Sequence, residues 1–450
     1  MLITYPVPLV RTLIGGALAL AATLAYAQST VPSLWVSNNG NLEGSVSAFS
    51  VNPDGTLTFV NRVVTGSRPN TTVPCAGCNS YEIALSPNGR WLATAHPAGD
   101  LDGLFVYEVA ADASVTQRLA VTLPAGFDAP LDLIWLDDTY LAVLLTQASP
   151  DRITAYEWNP AGPSLTPVGF VTPGTGVGYL AVDPNRDYLY ASDSAARVIH
   201  VYAIGPVGSL AFIESEPTGA PFALEINVTP DGRYLYGAGG ISGSGQDVVA
   251  MQINGDGSLT PIAGQPFQTG GASPSNVYVA DGGNFVIAGH GTDATMRSLS
   301  LAAGTGVLAP TGFVFDVGLQ GTLGDVRSLG GSVFVTDNST ATDGLTGVYS
   351  FALGANGSFT MNGGSIYLTG GIAPRSMATW TPPQTFAPGD LNCDGVVDIL
   401  DINAFILALS DPAGYAAAYP DCDRNLADTN GDGEIDILDI NPFIAIIEGG

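Results

Sequence analysis

A phrase of one short apolar strand, a turn, a second apolar strand, an alternating third strand, a glycine turn and a last strand recurs about every 50 residues, a spacing in the range of propeller blades. The first strand of each copy is expected to start near Ser80, Asp128, Gly178, Phe222, Ser275, Gly324 and Pro374. The turn after it is clearest at Ser86-Pro87-Asn88-Gly89-Arg90 and Thr229-Pro230-Asp231-Gly232-Arg233, with proline at the second position and glycine where φ must be positive. Alternating third strands include Val46–Val51 and Val348–Leu353, and the glycine turn recurs as Gly55-Thr56-Leu57, Gly208-Ser209-Leu210, Gly257-Ser258-Leu259 and Gly357-Ser358-Phe359. The N-terminal strand at Leu34-Trp35-Val36-Ser37 lacks a first strand, and the C-terminal strand near Met377 lacks the rest of a set. Joined, they complete one blade and leave no radial edge open. A solenoid or a pair of sandwiches would not need that match. The chain therefore reads as an all-β, seven-bladed propeller over 31–382, closed by its N- and C-terminal strands and followed by a small α-helical domain.

The repeated Ser-Pro-Asn/Asp-Gly-Arg turn and the Gly-Ser/Thr-Leu turn resemble the lactonase-type propellers, which include 6-phosphogluconolactonases and muconate-cyclising relatives. The resemblance implies a Gly-Pro-Arg-His segment entering a first strand and a Glu ending the next. There arginine would bind an acid group of the substrate, and His and Glu would move protons. The counterpart here is Gly219-Ala220-Pro221-Phe222-Ala223-Leu224, where apolar residues replace Arg and His, and the strand after it ends Tyr236-Gly237-Ala238-Gly239 without Glu. Ala373-Pro374-Arg375-Ser376 keeps the arginine alone. The candidate site residues are accordingly His96 and His290, expected to close second strands near the mouth, and Glu82, Glu225, Arg327 and Arg375, expected on first strands near the axis. The alternative is that Glu and Arg pair across the channel while the two histidines cap strand ends. His200 reads as an ordinary strand residue. With three histidines, no His-Glu-x-x-His and no Gly-x-Ser-x-Gly, the sequence offers no local signature of a zinc or serine hydrolase.

The thirteen basic residues are all arginine against 41 acidic ones, a formal net charge of −28. That excludes a Schiff-base lysine and argues against a nucleic-acid partner. Arg11, an apolar run over Thr12–Leu24 and Ala25-Tyr26-Ala27 read as an export signal over 1–27, cleaved after Ala27. The run is short for a membrane span, so the mature protein is expected to be secreted or at the cell surface rather than membrane-spanning. Four cysteines then suit disulfides, with proximity favouring Cys75–Cys78 and Cys393–Cys422. The first of these also has redox-motif spacing but no strand–helix context.

After a proline-containing linker over 383–388, the segment 389–450 holds two loops in one register. The first places Asp390, Asn392, Asp394, the Val396 carbonyl, Asp398 and Asp401 at loop positions 1, 3, 5, 7, 9 and 12. The second places Asp428, Asn430, Asp432, the Glu434 carbonyl, Asp436 and Asp439 there. Gly395 and Gly433 stand sixth, where the loop turns sharply. Alternating oxygen donors on a tight loop suit Ca²⁺, so two calcium ions are expected as cofactors. An apolar helix pattern follows each loop, and Asp-Ile-Leu-Asp-Ile-Asn occurs at both 398–403 and 436–441. This segment resembles type I dockerin domains, which implies attachment to a cohesin-like or other surface protein. Loop positions 10 and 11, commonly polar in that family, are Ile399 and Leu400, then Ile437 and Leu438. The sequence leaves open whether the ring is an enzyme. The leading expectation is an exported, non-catalytic binding scaffold held in an extracellular assembly. A hydrolase acting on a sugar lactone at the propeller mouth, and a component of polysaccharide binding or degradation with a carbohydrate ligand, are the alternatives.

Overall fold

A computed structural model describes residues 28–67, 75, 77–97, 102–124, 129–146, 150–219, 225–239, 247–317, 323–338, 346–383, 386–419 and 422–448. The expected export signal and the segment 220–224 lie outside them. The chain forms two compact units, dividing between Pro382 and Pro383. Among the described residues no helix is long and apolar enough to cross a membrane.

The first unit is built from seven antiparallel sheets, each of four strands save one that carries a fifth short strand, Phe267–Gln268. The seven innermost strands are Glu82–Leu85, Pro130–Trp135, Val177–Val182, Ile226–Val228, Pro274–Val279, Leu323–Leu329 and Pro374–Trp380. They fall within a few residues of the expected starts, the fourth beginning latest and running shortest. The ring closes as the sequence requires. Pro374–Trp380 pairs with Ser33–Asn39, setting Ala378 opposite Trp35 and Met377 opposite Val36, and Ser33–Asn39 then pairs with Glu43–Val51.

The repeated turns explain why the strands stop where they do. The Asn88 Oδ1 accepts from the backbone N–H of Arg90, and the Ser86 Oγ accepts from that of Trp91. Gly89 closes the turn at φ 69°. Asp231, Thr229 and Gly232 make the same bonds three blades further on. A side chain at Gly89 would also meet the Trp380 ring, since a Cβ there would lie 2.6 Å from its Cζ2. The core lies between neighbouring blades. Trp35, Tyr190, Tyr236 and Phe334 from second strands, and Trp135 at the end of an innermost strand, are fully buried there. Each fully buried leucine or phenylalanine, such as Leu34, Leu92 or Phe334, stabilises the ring by roughly 1.5–3 kcal/mol.

The second unit packs three short helices, Ile402–Ser410, Pro412–Ala418 and Ile440–Ile447. Its core stacks Phe405 on Phe443, ring centroids 4.0 Å apart and planes within 5°. Both expected disulfides are present, Cys75–Cys78 and Cys393–Cys422, with Cα atoms 5.1 and 5.8 Å apart. Such bonds persist in oxidising compartments, in keeping with a location outside the cytoplasm.

Candidate active site

Period-two alternation turns every second residue of each innermost strand toward the axis. The strand registers align the seven blades and reveal a layer of seven polar residues: Glu82, Asp132, Tyr179, Glu225, Asn276, Asp325 and Ser376. Two residues further along stand Ala84, Ile134, Ala181, Asn227, Tyr278, Arg327 and Ala378. Register shifts sit at or just before the polar layer, between Pro130 and Asp132, Val177 and Tyr179, Pro274 and Asn276, and Leu323 and Val326. Bulges of this kind re-aim side chains and are common beside active sites. Hydroxyls on the paired second strands accept the N–H groups freed there, from Ser192 to Tyr179, from Thr336 to Asp325 and from Ser37 to Ser376.

The two layers line an axial cavity of about 200 Å³, walled by Glu82, Asp132, Tyr179, Glu225, Asn227, Tyr278 and Arg327 among others. Arg327 Nη1 donates to Glu225 Oε1 at 3.0 Å and to Asp325 Oδ1 at 2.6 Å, while its guanidinium lies 5.1 Å from the Tyr278 ring centroid. Asn276 Nδ2 donates to Glu225 Oε2 at 2.5 Å. Ser376 Oγ donates to Glu82 Oε1. Arg375 stacks on Tyr81, 3.6 Å from the ring centroid, and donates to its hydroxyl. The Nε of Arg375 is buried and has no hydrogen-bond partner among the described residues. A buried donor left unpaired costs about 1–3 kcal/mol, and a ligand oxygen would remove that cost.

The electrostatics follow from crowding acids in a dry channel. Burial first, and then the charge of Asp132, push the Glu82 carboxyl up to about 8. Burial pushes Asp132 up to about 7, although backbone N–H donors from Leu180 and Leu133 favour its charged form. Asp325 is also raised by burial. Burial alone would weaken the charge on Arg327, but Asp325 and Glu225 more than reverse that and hold it firmly protonated. Burial likewise opposes the charge on Arg375, and Tyr81, Tyr179 and Glu82 outweigh it. Buried Tyr278 is pushed up to about 12. The channel can therefore hold a proton on a carboxyl near neutral pH, next to fixed positive charge. Those are the ingredients of general acid–base catalysis.

Of the residues singled out from sequence, the structure brings Glu82, Glu225, Arg327 and Arg375 into or against this channel. The expected Glu–Arg pairing is realised in Glu225–Arg327. His96 and His290 do not join them. His96 is fully buried within its own blade, 4.3 Å from the Phe105 ring, with Nε2 2.7 Å from the Thr94 hydroxyl. His290 is held by the Thr269 hydroxyl and the Thr295 carbonyl. Burial lowers both imidazoles, His96 to about 4, so they stay neutral and act in packing. Both close second strands as expected, but there the strand pleat turns them into the blade. His200 does lie in a strand, bridging Ser215 and Asp193. Asp132, Tyr179, Asn276, Tyr278 and Asp325 were missed by motif reading. Their signal was positional: a polar residue at one fixed register of an otherwise apolar first strand.

The two loops of the C-terminal unit share most of their bonds and differ at the first aspartate, where Asp428 Oδ1 accepts from the Gly431 and Asp432 N–H groups. Gly395 N–H donates to Asp390 Oδ2 and Gly433 N–H to Asp428 Oδ2, with the two glycines at φ 90° and 89°. Asp401 Oδ1 accepts from Asn392 N–H and its Oδ2 from Asp398 N–H; Asp439 does the same for Asn430 and Asp436. Asp398 and Asp436 cap the short helical turns that follow. Val396 and Glu434, expected to offer their carbonyls, donate their N–H groups to Asp394 Oδ1 and Asp432 Oδ1. Among the described residues no three acidic, histidine or cysteine side chains are gathered closely enough to hold a metal by themselves. The donor set expected from the sequence also includes an asparagine oxygen and a main-chain carbonyl in each loop. Asp390 Oδ1 is buried and has no hydrogen-bond partner among the described residues, and burial raises its carboxyl. An unpaired buried oxygen of this kind is what a hard cation would satisfy.

Comparison with known proteins places these observations. A family model described as lactonase, 7-bladed beta-propeller, matches residues 21–322. A 6-phosphogluconolactonase of Yersinia pestis is 27% identical over 165 residues, 34% of this chain and 47% of the relative, so the chain spans about half the length of such curated relatives. A 6-phosphogluconolactonase of Serratia proteamaculans is 25% identical over 275 residues, covering 54% of this chain and 77% of its own length. Among solved structures, a periplasmic gluconolactonase of Pseudomonas aeruginosa superposes with a TM-score of 0.60 at 19% identity, over 78% of this chain and 99% of its own. At that identity the likeness is one of fold.

Proposed function

We propose, for a chain that belongs to the lactonase family of seven-bladed β-propellers, that the axial channel hydrolyses a sugar lactone. The names of the relatives bring lactone chemistry into view, and one observation carries the reading. Glu82 and Asp132, two carboxyls raised into the neutral range, meet Arg327 around one cavity, with the charge of Arg375 acting on Glu82. Ring opening needs a base to take a proton from water, a positive group beside the carbonyl oxygen, and an acid for the departing ring oxygen. Glu82 in its ionised form is the base. Arg375, whose Nε is buried without a partner among the described residues, is the donor assigned to the developing oxyanion. The proton Glu82 gains then returns to the ring oxygen as the acyl–oxygen bond breaks, giving one carboxylic acid and one hydroxyl. This reading replaces the non-catalytic scaffold expected from the missing Arg-His pair. Carboxyl groups in the channel can supply the proton transfer which that motif would have provided. Initial rates on a panel of aldonolactones, corrected for spontaneous opening, test it. Turnover that Glu82→Gln abolishes is expected; turnover unchanged by Glu82→Gln sinks it.

The C-terminal unit has a second reading as a calcium-stabilised attachment module of dockerin type, held to a cohesin-like or other surface protein. The duplicated loops and the unpaired Asp390 Oδ1 support it. Asp390, Asn392, Asp394 and Asp401, with Asp428, Asn430, Asp432 and Asp439, would hold the ions, which supply fixed positive charge at each loop centre. Exposed Ile399, Leu400, Ile437 and Leu438, each more than 60% accessible, would face the protein partner. Calorimetric titration with CaCl₂ decides the metal part, and absence of heat at millimolar calcium rejects it.

A further inference from the structure

We propose that the channel selects an uncharged sugar lactone and excludes phosphorylated ones. The inference rests on the lactone reading above, and names the substrate class within it. A phosphate monoester is a dianion and needs several unneutralised cations, and the two here leave one buried donor without a partner among the described residues, the Arg375 Nε assigned above to the lactone oxygen. Arg327 spends one nitrogen on Glu225 and Asp325 together, and its Nε on the Met377 carbonyl. Arg375 lies flat on Tyr81 and feels the charges of Glu82 and Glu225. Against these two guanidiniums, the polar layer carries four carboxyls, Glu82, Asp132, Glu225 and Asp325. Lysine, the usual point charge for phosphate, is absent from the whole chain. Beyond the channel, a formal net charge of −28 sets a field that slows the approach of any dianion.

The same residues suit hydroxyl groups. Carboxylate oxygens accept from them. Asn227 engages its oxygen with the Val279 N–H and, among the described residues, keeps its amide N–H groups to donate. Tyr179 and Tyr278 present aromatic walls. The cavity of about 200 Å³ would hold roughly seven waters at ~30 Å³ each, the scale of a single sugar ring.

The test compares glucono-1,5-lactone with its 6-phosphate as substrates of the full mature chain, and the two matching non-hydrolysable lactams as ligands in calorimetry. The uncharged member of each pair is expected to be favoured roughly tenfold to a hundredfold, the range for uncompensated like charge. Raising salt should narrow that ratio, because the excluded charge is screened. In Glu225→Gln the ratio should also narrow, and a ratio of two substrates on one preparation does not depend on how much of it is folded. Selective lactam binding without turnover of either lactone removes the hydrolase reading and leaves this inference standing. Equal or better use of the phosphorylated lactone overturns the inference and leaves the hydrolase reading standing. Binding of neither lactam overturns both.

Discussion

Replacing Arg327 by methionine isolates the interaction that holds the channel together. The arginine side chain is 17% exposed, and its partners Asp325 and Glu225 are 4% and 12% exposed. Methionine keeps the apolar stem over Tyr278 but leaves two buried carboxylates without their shared cation. Breaking a buried pair in this way costs about 3–5 kcal/mol. With an unfolding entropy near 2.1 cal/mol/K per residue over about 350 residues, that is a fall in melting temperature of ~4–7 °C. The fall must depend on pH. Burial already raises the Asp325 carboxyl, and without Arg327 it binds its proton more tightly still in the folded state, so the folded state gains as pH drops below that raised pKa. The deficit should thus be largest at pH 8 and shrink at pH 5. Thermal melts followed by tryptophan fluorescence at both pH values provide the assay, with Arg327→Met/Glu225→Gln expected to recover part of the loss at pH 8. A shift below about 1 °C, or one equal at pH 5 and pH 8, would refute the claim that this cation compensates buried negative charge.

Three further outcomes follow from the same geometry. Lactone turnover should rise with pH through about 8 as Glu82 loses its proton, with Asp132 raising and Arg375 and Arg327 lowering that midpoint; a rate that falls across pH 7–9 after correction for spontaneous opening contradicts the assignment of the base. Calcium should raise the melting temperature of the C-terminal unit in the full chain, and Asp390→Ala with Asp428→Ala should remove that rise and the calorimetric heat together. Reducing Cys393–Cys422, separated by 29 residues in sequence, should cost that unit ~3–4 kcal/mol by loop-closure entropy, seen as selective loss of its melting transition in dithiothreitol.

How much of this was legible in the sequence depends on whether a residue's role is local. The blades were legible because their turns are local: Asn88, Gly89, Asp231 and Gly232 each satisfy bonds within a few residues. The closure was legible because it only required strands at the two ends to be counted. The disulfides were legible from proximity. The channel was legible in part. Glu82, Glu225, Arg327 and Arg375 stand out as charges in apolar strands, whereas Asp132 and Asp325 look like ordinary strand-entry aspartates until the register places them in one layer. His96 and His290 misled for the converse reason. A rare residue at a strand end invites a functional role, but its direction is set by the pleat and by Phe105, Thr94, Thr269 and Thr295, all decided by packing.

The four carboxyls of the layer divide by side-chain length. Asp132 accepts from Leu133 N–H with one oxygen and from Leu180 N–H, on the next blade, with the other, at 2.7 and 2.6 Å. Asp325 repeats this with Val326 and Met377, both at 2.7 Å. The short side chain thereby clamps neighbouring innermost strands. The glutamates reach past the backbone to side chains alone. Glu225 is occupied by Arg327 and Asn276, while Glu82 receives a single hydroxyl, that of Ser376, among the described residues. By elimination, Glu82 is the carboxyl with oxygen capacity left for water. Two exchanges that keep charge separate the roles. Glu82→Asp withdraws the base by one methylene and should lower kcat by roughly 10²-fold or more, the scale of a misplaced or lost general base, with little change in melting temperature. Asp132→Glu overreaches the clamp, strains two short bonds in a packed layer, and should lower the melting temperature by a few degrees, at about 1–3 kcal/mol for an overpacked core site. The reverse pattern, stability lost at Glu82 and rate alone lost at Asp132, would exchange their roles and move the base to the neighbouring blade.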